Sequence, residues 1–210
     1  QHQADGAADG PAGPARIGGT SGGAGSDAGA DNPADYLDRP LREQVTALEQ
    51  GAITSAGLTQ AYLTRIEERD GEVNAIVALD PKAVERATAL DGKRGQGALL
   101  QGAVILVKDN IDAEGLATTA GSLAMVNNVA AADAFGVARL HAAHALVLGK
   151  TNLSEWANFR GSQATSGWSS FGGQTHNGVD TAHNPCGSSS GSGAAVAAGL
   201  GPAGRRKPLS

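Results

Sequence analysis

One short stretch of the chain combines hydroxyl groups with glycines and leads straight into small apolar residues. It reads Cys186–Gly187–Ser188–Ser189–Ser190–Gly191–Ser192–Gly193 and is followed by Ala-Ala-Val-Ala-Ala. Serine hydroxyls can serve as nucleophiles, and glycine lets another group approach the backbone closely. Free N–H groups at the start of a helix favour an anion or a developing oxyanion. The stretch therefore predicts a catalytic serine loop that caps a buried helix, rather than a flexible Gly/Ser linker.

A lysine follows a short apolar run. Residues 103–107 read Ala-Val-Ile-Leu-Val, which is typical of a strand buried on both faces, and Lys108 comes next. Burial disfavours a charged amine and lowers the pKa of a lysine, so Lys108 could act as a base. A lysine at a strand end can equally extend its amine to solvent, and the spacing alone leaves both roles open.

Three other patterns fail when their spacing is checked. The segment Gly149–Lys150–Thr151 lacks the earlier glycine of a phosphate-binding loop, because His144 occupies that position. Residues 187–191 match the G-x-S-x-G elbow, but no Asp, Glu or His follows Ser189. His141 is one helical turn from His144 without a matching third ligand, so no metal site is expected.

The composition excludes several classes of function. The net charge is −5 without a basic stripe, which argues against nucleic acid as the main partner. Cys186 is the single cysteine, which excludes an internal disulfide framework and a multi-cysteine zinc site. A small packing residue is favoured over a nucleophile for Cys186. No apolar run reaches membrane-spanning length, so no membrane partner is expected.

The chain divides into three segments by composition. Residues 1–33 are mostly Ala, Gly, Asp and Pro, which predicts a disordered arm. Residues 34–200 carry helical and strand patterns and predict a folded domain, and residues 201–210 form an atypical basic tail. The sequence begins with Gln1 and not with methionine, so a removed signal peptide or an incomplete reading frame is expected. A removed signal peptide would favour a periplasmic or secreted protein. A cytoplasmic location stays open as the alternative.

The order of elements in the folded segment favours an α/β fold. Asp133 is expected to cap a helix that runs to about His144, and Ala145–Leu148 is a second apolar strand. Strand, helix and strand in this order favour parallel pairing. Residues 160–185 lack a clear hydrophobic period, which predicts a long loop that is either functional or disordered. The remaining predictions are helices over Leu41–Leu48 with a stop at Gly51, over Leu58–Ile66 with an end near Asp70–Gly71, and from Asp80–Pro81 to about Leu90, with a strand over Val73–Leu79.

Four blocks of sequence, taken in their order along the chain, resemble the amidase signature family. The resemblance covers about residues 36–199. The match is closest to bacterial peptide amidases, through Ser154–Phe159, Ser166–Gly167–Trp168 and Gly172–Thr175. Four ordered blocks are far more specific than any one of them. The blocks are Ala103–Asn110, Ala120–Ser122, Gly149–Trp156 and Asn184–Ser192.

The resemblance implies a mixed β-sheet core surrounded by helices and amide hydrolysis without a metal or organic cofactor. In this family a serine, a serine after a cis peptide and a lysine form the catalytic triad. Lys108 matches the base and Ser188 the bridging serine, while Gly187, Ser189, Ser190 and Gly191 support the loop. Ser166, Gly167 and Trp168 are expected to contact the substrate, a small amide or a C-terminal peptide amide.

The resemblance also implies a loop with the nucleophilic serine, which this chain does not match. The family's nucleophilic serine would fall just past Ser210, and Gly201–Ser210 does not resemble the family's loop. The fold is therefore expected to be incomplete and the chain to lack appreciable amidase activity. The alternatives are a non-catalytic truncated or frameshifted remnant and the A-type subunit of a glutamine-dependent tRNA amidotransferase.

Overall fold

The computed structural model describes residues 31–159, 161 and 165–202, and a three-stranded mixed sheet lies at its centre. The strands are β1 (Ile76–Leu79), β2 (Val104–Lys108) and β3 (Leu146–Thr151), in the spatial order β1-β3-β2. β2 runs parallel to β3, and β1 runs antiparallel to it. Helix α4 (Phe135–Ala142) connects β2 to β3. The predicted strand–helix–strand unit with parallel pairing and the mixed sheet are confirmed.

Helices α1 (Leu41–Gln50), α2 (Ser55–Val73), α3 (Ala83–Asp91) and α5 (Ser190–Ala198) accompany the sheet. α1 ends as predicted, because Gly51 takes a left-handed conformation with φ of 74°. α2 continues past its predicted end to Val73, so the predicted strand over Val73–Leu79 begins only at Ile76. α3 begins three residues after Asp80, whose carboxylate accepts the Lys82 amide at 2.9 Å in the preceding turn.

The hydrophobic core joins α1 and α2 to the sheet and to α5. Tyr62 is the largest fully buried side chain, and its hydroxyl accepts a hydrogen bond from the Gln44 amide at 2.9 Å. Burial raises the pKa of Tyr62 to about 12. The polar end of this ring is thus satisfied within the apolar cluster. The cluster includes Leu48, Ile53, Leu58, Ile66, Val104, Leu148, Ala194, Ala195 and Leu200.

Two distant parts of the chain meet at Arg65 in α2. Its guanidinium donates to both carboxylate oxygens of Asp38, at 2.7 and 3.1 Å, and to the Gly199 carbonyl oxygen at 3.3 Å. The planar guanidinium suits this paired contact with a carboxylate. One side chain therefore links the start of the described chain to the end of α5.

One sequence prediction about this unit is confirmed and another is wrong. β2 is covered on both faces, because Val104 packs into the central cluster and Val107 packs into a second cluster with Val137 and Val147. Asp133 does not cap α4. Its carboxylate instead accepts the Glu114 amide at 2.8 Å and contacts the His141 ring nitrogen at 2.8 Å. These longer-range partners replace the helical N–H groups that a cap would bind.

Only the residues next to the predicted segment boundaries lie within the described structure. Residues 1–30, predicted as a disordered arm, and residues 203–210 of the tail lie outside the described residues. The Asp31 amide donates to the Ala52 carbonyl oxygen at 2.8 Å, and Asn32 caps a short 3₁₀ turn over Pro33–Tyr36. Residues 31–33 therefore contact the folded part. Within the described ranges, no helix has the length and apolarity needed to cross a membrane.

The start of α5 packs backbone to backbone against the segment after β3. The Gly191 amide donates to the Asn152 carbonyl oxygen at 3.0 Å, and the Asn152 amide donates to the Ala75 carbonyl oxygen at 2.8 Å. A Cβ atom on Gly191 would lie 2.6 Å from the Ala75 oxygen and closer still to the Asn152 backbone. Only a residue without a side chain fits there.

We expect Gly191→Ala to lower the free energy of unfolding by about 1–3 kcal/mol, because backbone atoms cannot move aside as a flexible side chain can. Gly193→Ala is the matched control in the same helix, where an added Cβ meets nothing within 4 Å. It should raise the free energy of unfolding by about 0.5–1 kcal/mol. Urea unfolding of both variants checks this, and equal effects would contradict the packing described.

Candidate active site

Lys108 and Ser188 are brought together from distant parts of the chain. The Lys108 Nζ donates a hydrogen bond to the Ser188 Oγ at 3.0 Å, although 80 residues separate them. Lys108 ends β2 and is half-buried. Burial lowers the pKa of Lys108, which favours the first of the two roles that the sequence left open. An amine that loses its proton more readily, next to a hydroxyl, can exchange a proton with it.

The backbone of the serine loop turns sharply before Ser188. Cys186 and Gly187 take left-handed conformations with φ of 58° and 65°. The Ser188 carbonyl oxygen accepts the Ser154 amide at 3.1 Å, and the Ser154 hydroxyl donates to the Gly187 carbonyl oxygen at 3.4 Å. Every described peptide bond is trans, including the one before Ser188, where the resemblance implies a cis bond. Two left-handed residues therefore precede Ser188, whose hydroxyl contacts Lys108.

The other residues of the serine loop occupy different environments. Ser189 is exposed at the N-cap of α5, whereas Ser190 is 1% exposed and its hydroxyl has no hydrogen-bond partner in the described structure. The Ser192 hydroxyl contacts the Thr151 hydroxyl at 2.7 Å. Cys186 is exposed, so its predicted role as a packing residue is wrong, because its left-handed turn lies at the surface.

The predicted substrate residues Ser166, Gly167 and Trp168 lie beside the serine loop. The Gly167 amide donates to the Ser154 hydroxyl at 2.8 Å, so Ser154 touches both segments. Trp168 opens a small hairpin of β4 (Trp168–Ser169) and β5 (Gly173–Gln174) and is 48% exposed. The long loop predicted over residues 160–185 thus contains two short strands. The indole of Trp168 is exposed and therefore available to contact a ligand.

Sequence reasoning missed the buried polar groups that hold these segments in place. The Asn152 side-chain oxygen accepts the Ser169 hydroxyl and the Leu153 amide, each at 2.9 Å. Lys150 is fully buried, with its Nζ 3.3 Å from the Asp109 carboxylate. The only signal for Lys150 in the sequence is its position after an apolar run, which it shares with Lys108.

A left-handed turn follows the site. Trp156, Ala157 and Asn158 have φ of 50°, 55° and 63°, a conformation that non-glycine residues rarely adopt in succession. The Trp156 amide donates to the Ala120 carbonyl oxygen at 2.9 Å, and the Asn158 side chain donates to the Ser166 hydroxyl at 3.3 Å. These contacts hold a strained turn next to the candidate site.

Two of the described histidines contact carboxylates. His141 contacts Asp133, and the His183 ring nitrogen lies 2.8 Å from the Asp180 carboxylate. In the part of the chain that the structure describes, no group of three His, Cys, Asp or Glu residues is arranged to hold a metal ion.

Comparison with known proteins places this geometry in a family. Residues 57–205 match the family model described as Amidase. The chain belongs to the amidase family. A crystal structure of the peptide amidase from Stenotrophomonas maltophilia superposes with a TM-score of 0.75 and 47% identity, over 80% of this chain and 36% of that one. An amidase family protein from Bacillus anthracis gives 0.76 and 32%, over 81% and 35%.

The similarity extends to a second branch of the family. The A-type glutamyl-tRNA(Gln) amidotransferase subunit from Thermus thermophilus is 43% identical over 153 residues, which are 73% of this chain and 31% of that protein. The chain thus spans about a third of the length of these relatives. The α/β fold of the amidase signature structures is confirmed over the part of them that this chain covers.

The left-handed turn gives a testable prediction. We expect Ala157→Gly to raise the free energy of unfolding by about 1 kcal/mol, because glycine relieves the steric conflict of a left-handed residue. Ala89→Gly in the middle of α3 is the matched control, since Ala89 is also exposed but helical, and it should lower stability by about 0.5–1 kcal/mol. Thermal unfolding distinguishes the two signs, and a loss of stability at Ala157 would contradict the strain.

Proposed function

We propose that Lys108 and Ser188 form the proton-transfer part of an amide hydrolase that releases ammonia from carboxamides. The hydrogen bond of 3.0 Å between the Lys108 Nζ and the Ser188 Oγ is the observation that carries this proposal. Membership of the amidase family and the lowered pKa of Lys108 support it.

The proposed reaction moves one proton along this pair. Neutral Lys108 accepts the Ser188 proton while Ser188 accepts the proton of a second, nucleophilic serine. The nucleophilic oxygen bonds to the amide carbon, and the C–N bond then breaks as a proton returns to the leaving nitrogen. Water hydrolyses the resulting ester to the acid. Ser188 carries the proton and is not acylated.

We propose C-terminal peptide amides as the substrate class. The likeness to peptide amidase at 47% identity supports this choice, and a second similar structure is a peptide amidase in complex with the competitive inhibitor chymostatin. Trp168 and the Ser166–Gly167 backbone lie beside the serine loop, where they would contact the residue preceding the amide. Glutamine is the competing substrate, since the Thermus thermophilus relative belongs to an amidotransferase. Ammonia release from peptide amides compared with free glutamine separates the two.

The role of Lys108 predicts a characteristic pH dependence. Turnover should rise with pH through the lowered pKa of Lys108, because only the neutral amine accepts a proton. In the intact protein, Lys108→Ala should reduce ammonia release by about 10²–10⁴-fold. Lys93→Ala, at an exposed lysine, is the control and should change little. Near-normal turnover by Lys108→Ala would show that the assigned base is wrong.

Covalent labelling tests the assignment of Ser188. A fluorophosphonate probe should label a serine other than Ser188 in the intact protein, because the proposed role of Ser188 is proton transfer. Peptide mapping by mass spectrometry locates the label. A label on Ser188, or a protein that hydrolyses amides without being labelled, would overturn the proposal.

A further inference from the structure

A buried ion pair lies directly beneath the turn that carries Lys108. The Asp109 carboxylate follows Lys108 in the chain and is 1% exposed, and the Lys150 Nζ lies 3.3 Å from it at 0% exposure. The two elements are parallel neighbours, because Val107 on β2 pairs with Lys150 on β3. A charge buried this completely needs a partner and further hydrogen bonds.

Both members of the pair have those hydrogen bonds. The Lys150 Nζ donates to the Ala117 carbonyl oxygen and to the Thr118 hydroxyl, each at 3.0 Å. The Asp109 carboxylate accepts the Thr119 amide at 3.3 Å and also accepts the Thr119 hydroxyl. The pair therefore fixes the end of β2 to β3 and to residues 117–119.

The two charges of the pair would act on Lys108 in opposite directions. A lone carboxylate at Asp109 would favour the protonated form of its neighbour Lys108, and an unpaired ammonium at Lys150 would disfavour it. When the two charges are paired, these effects oppose each other. Burial then remains the cause that lowers the pKa of Lys108.

We propose that Lys150 is a positioning residue that holds the Lys108–Asp109 turn against β3 and neutralises Asp109, so that Lys108 can be uncharged beside Ser188. This inference rests on the proposed role of Lys108 as the base. It adds a second lysine that acts through Asp109 and does not touch the substrate.

A titration of Lys108 depends on the charged groups that lie around the Asp109–Lys150 pair. Lys150 is approached by Asp109 and, at longer range, by Asp112. Ala117, Thr118 and Thr119 contribute only neutral hydrogen-bonding groups. Lys108 itself faces the Ser188 hydroxyl.

The test is the pH at which Lys108 is half protonated, measured by NMR of its side chain or by pH-dependent acetylation and mass spectrometry. Lys150→Met removes the ammonium that pairs with Asp109 and should raise this midpoint by about one pH unit. Asp109→Asn removes the carboxylate beside Lys108 and should lower it. The double variant should return it close to the original value.

Opposite shifts in the two single variants are the decisive result, because a general loosening of the fold would move both in the same direction. Lys93→Met makes the same change at an exposed lysine and should leave the midpoint unchanged. If Lys150→Met does not fold, Asp109→Asn and the double variant still test the inference through the lowered and restored midpoint. Equal midpoints in wild type and Asp109→Asn would overturn it.

The readout separates this inference from the proposed function. Activity that survives Lys108→Ala would remove Lys108 as the base, whatever the titrations show. If Lys108→Ala abolishes activity but the charge variants do not shift the Lys108 midpoint, only the role of Lys150 is wrong. Where the intact protein is active, Lys150→Met should also move the pH–rate profile to higher pH with the Lys108 midpoint.

Discussion

The close backbone contact at Asn152 is the constraint on which the rest of this structure depends. Its amide binds Ala75 beside β1, its carbonyl oxygen binds the first turn of α5, and its side chain binds the β4–β5 hairpin. Three segments far apart in sequence therefore meet at one residue. Because Gly191 has no side chain, α5 can approach close enough for Ser188 to reach Lys108. The candidate site is thus a product of backbone packing as much as of side-chain chemistry.

Periodicity and ordered motifs predicted the elements whose identity depends on local sequence. The helix over Leu41–Gln50, the parallel unit of β2, α4 and β3, and the proximity of Lys108 to a serine loop all have local or motif signals. The errors have a different origin. Asp133 has the residue type of a cap, but tertiary contacts with Glu114 and His141 take its carboxylate. No pattern in the local sequence predicts which partners the Asp133 carboxylate binds.

The two strand-end lysines show why residue type alone does not assign a role. Each follows an apolar run, and burial lowers the pKa of each. Lys108 faces a hydroxyl and has no carboxylate contact in the described structure, whereas Lys150 lies against Asp109, which raises its pKa in opposition to burial. The difference is set by which loops cover each amine, and those loops come from residues that are distant in sequence. The two lysines look equivalent in the sequence, whereas the fold places one beside a hydroxyl and the other in a buried ion pair.

The contact between Arg65 and Gly199 has a consequence for how the chain folds during synthesis. α5 and Leu200 supply part of the central core, so that core cannot close until the chain through Leu200 has left the ribosome. The parallel unit of β2 and β3 is translated some 50 residues earlier. At about 5–20 residues per second, its apolar face waits several seconds for α5. During that interval the nascent chain exposes an apolar surface, and such a surface makes an incompletely folded chain prone to aggregation.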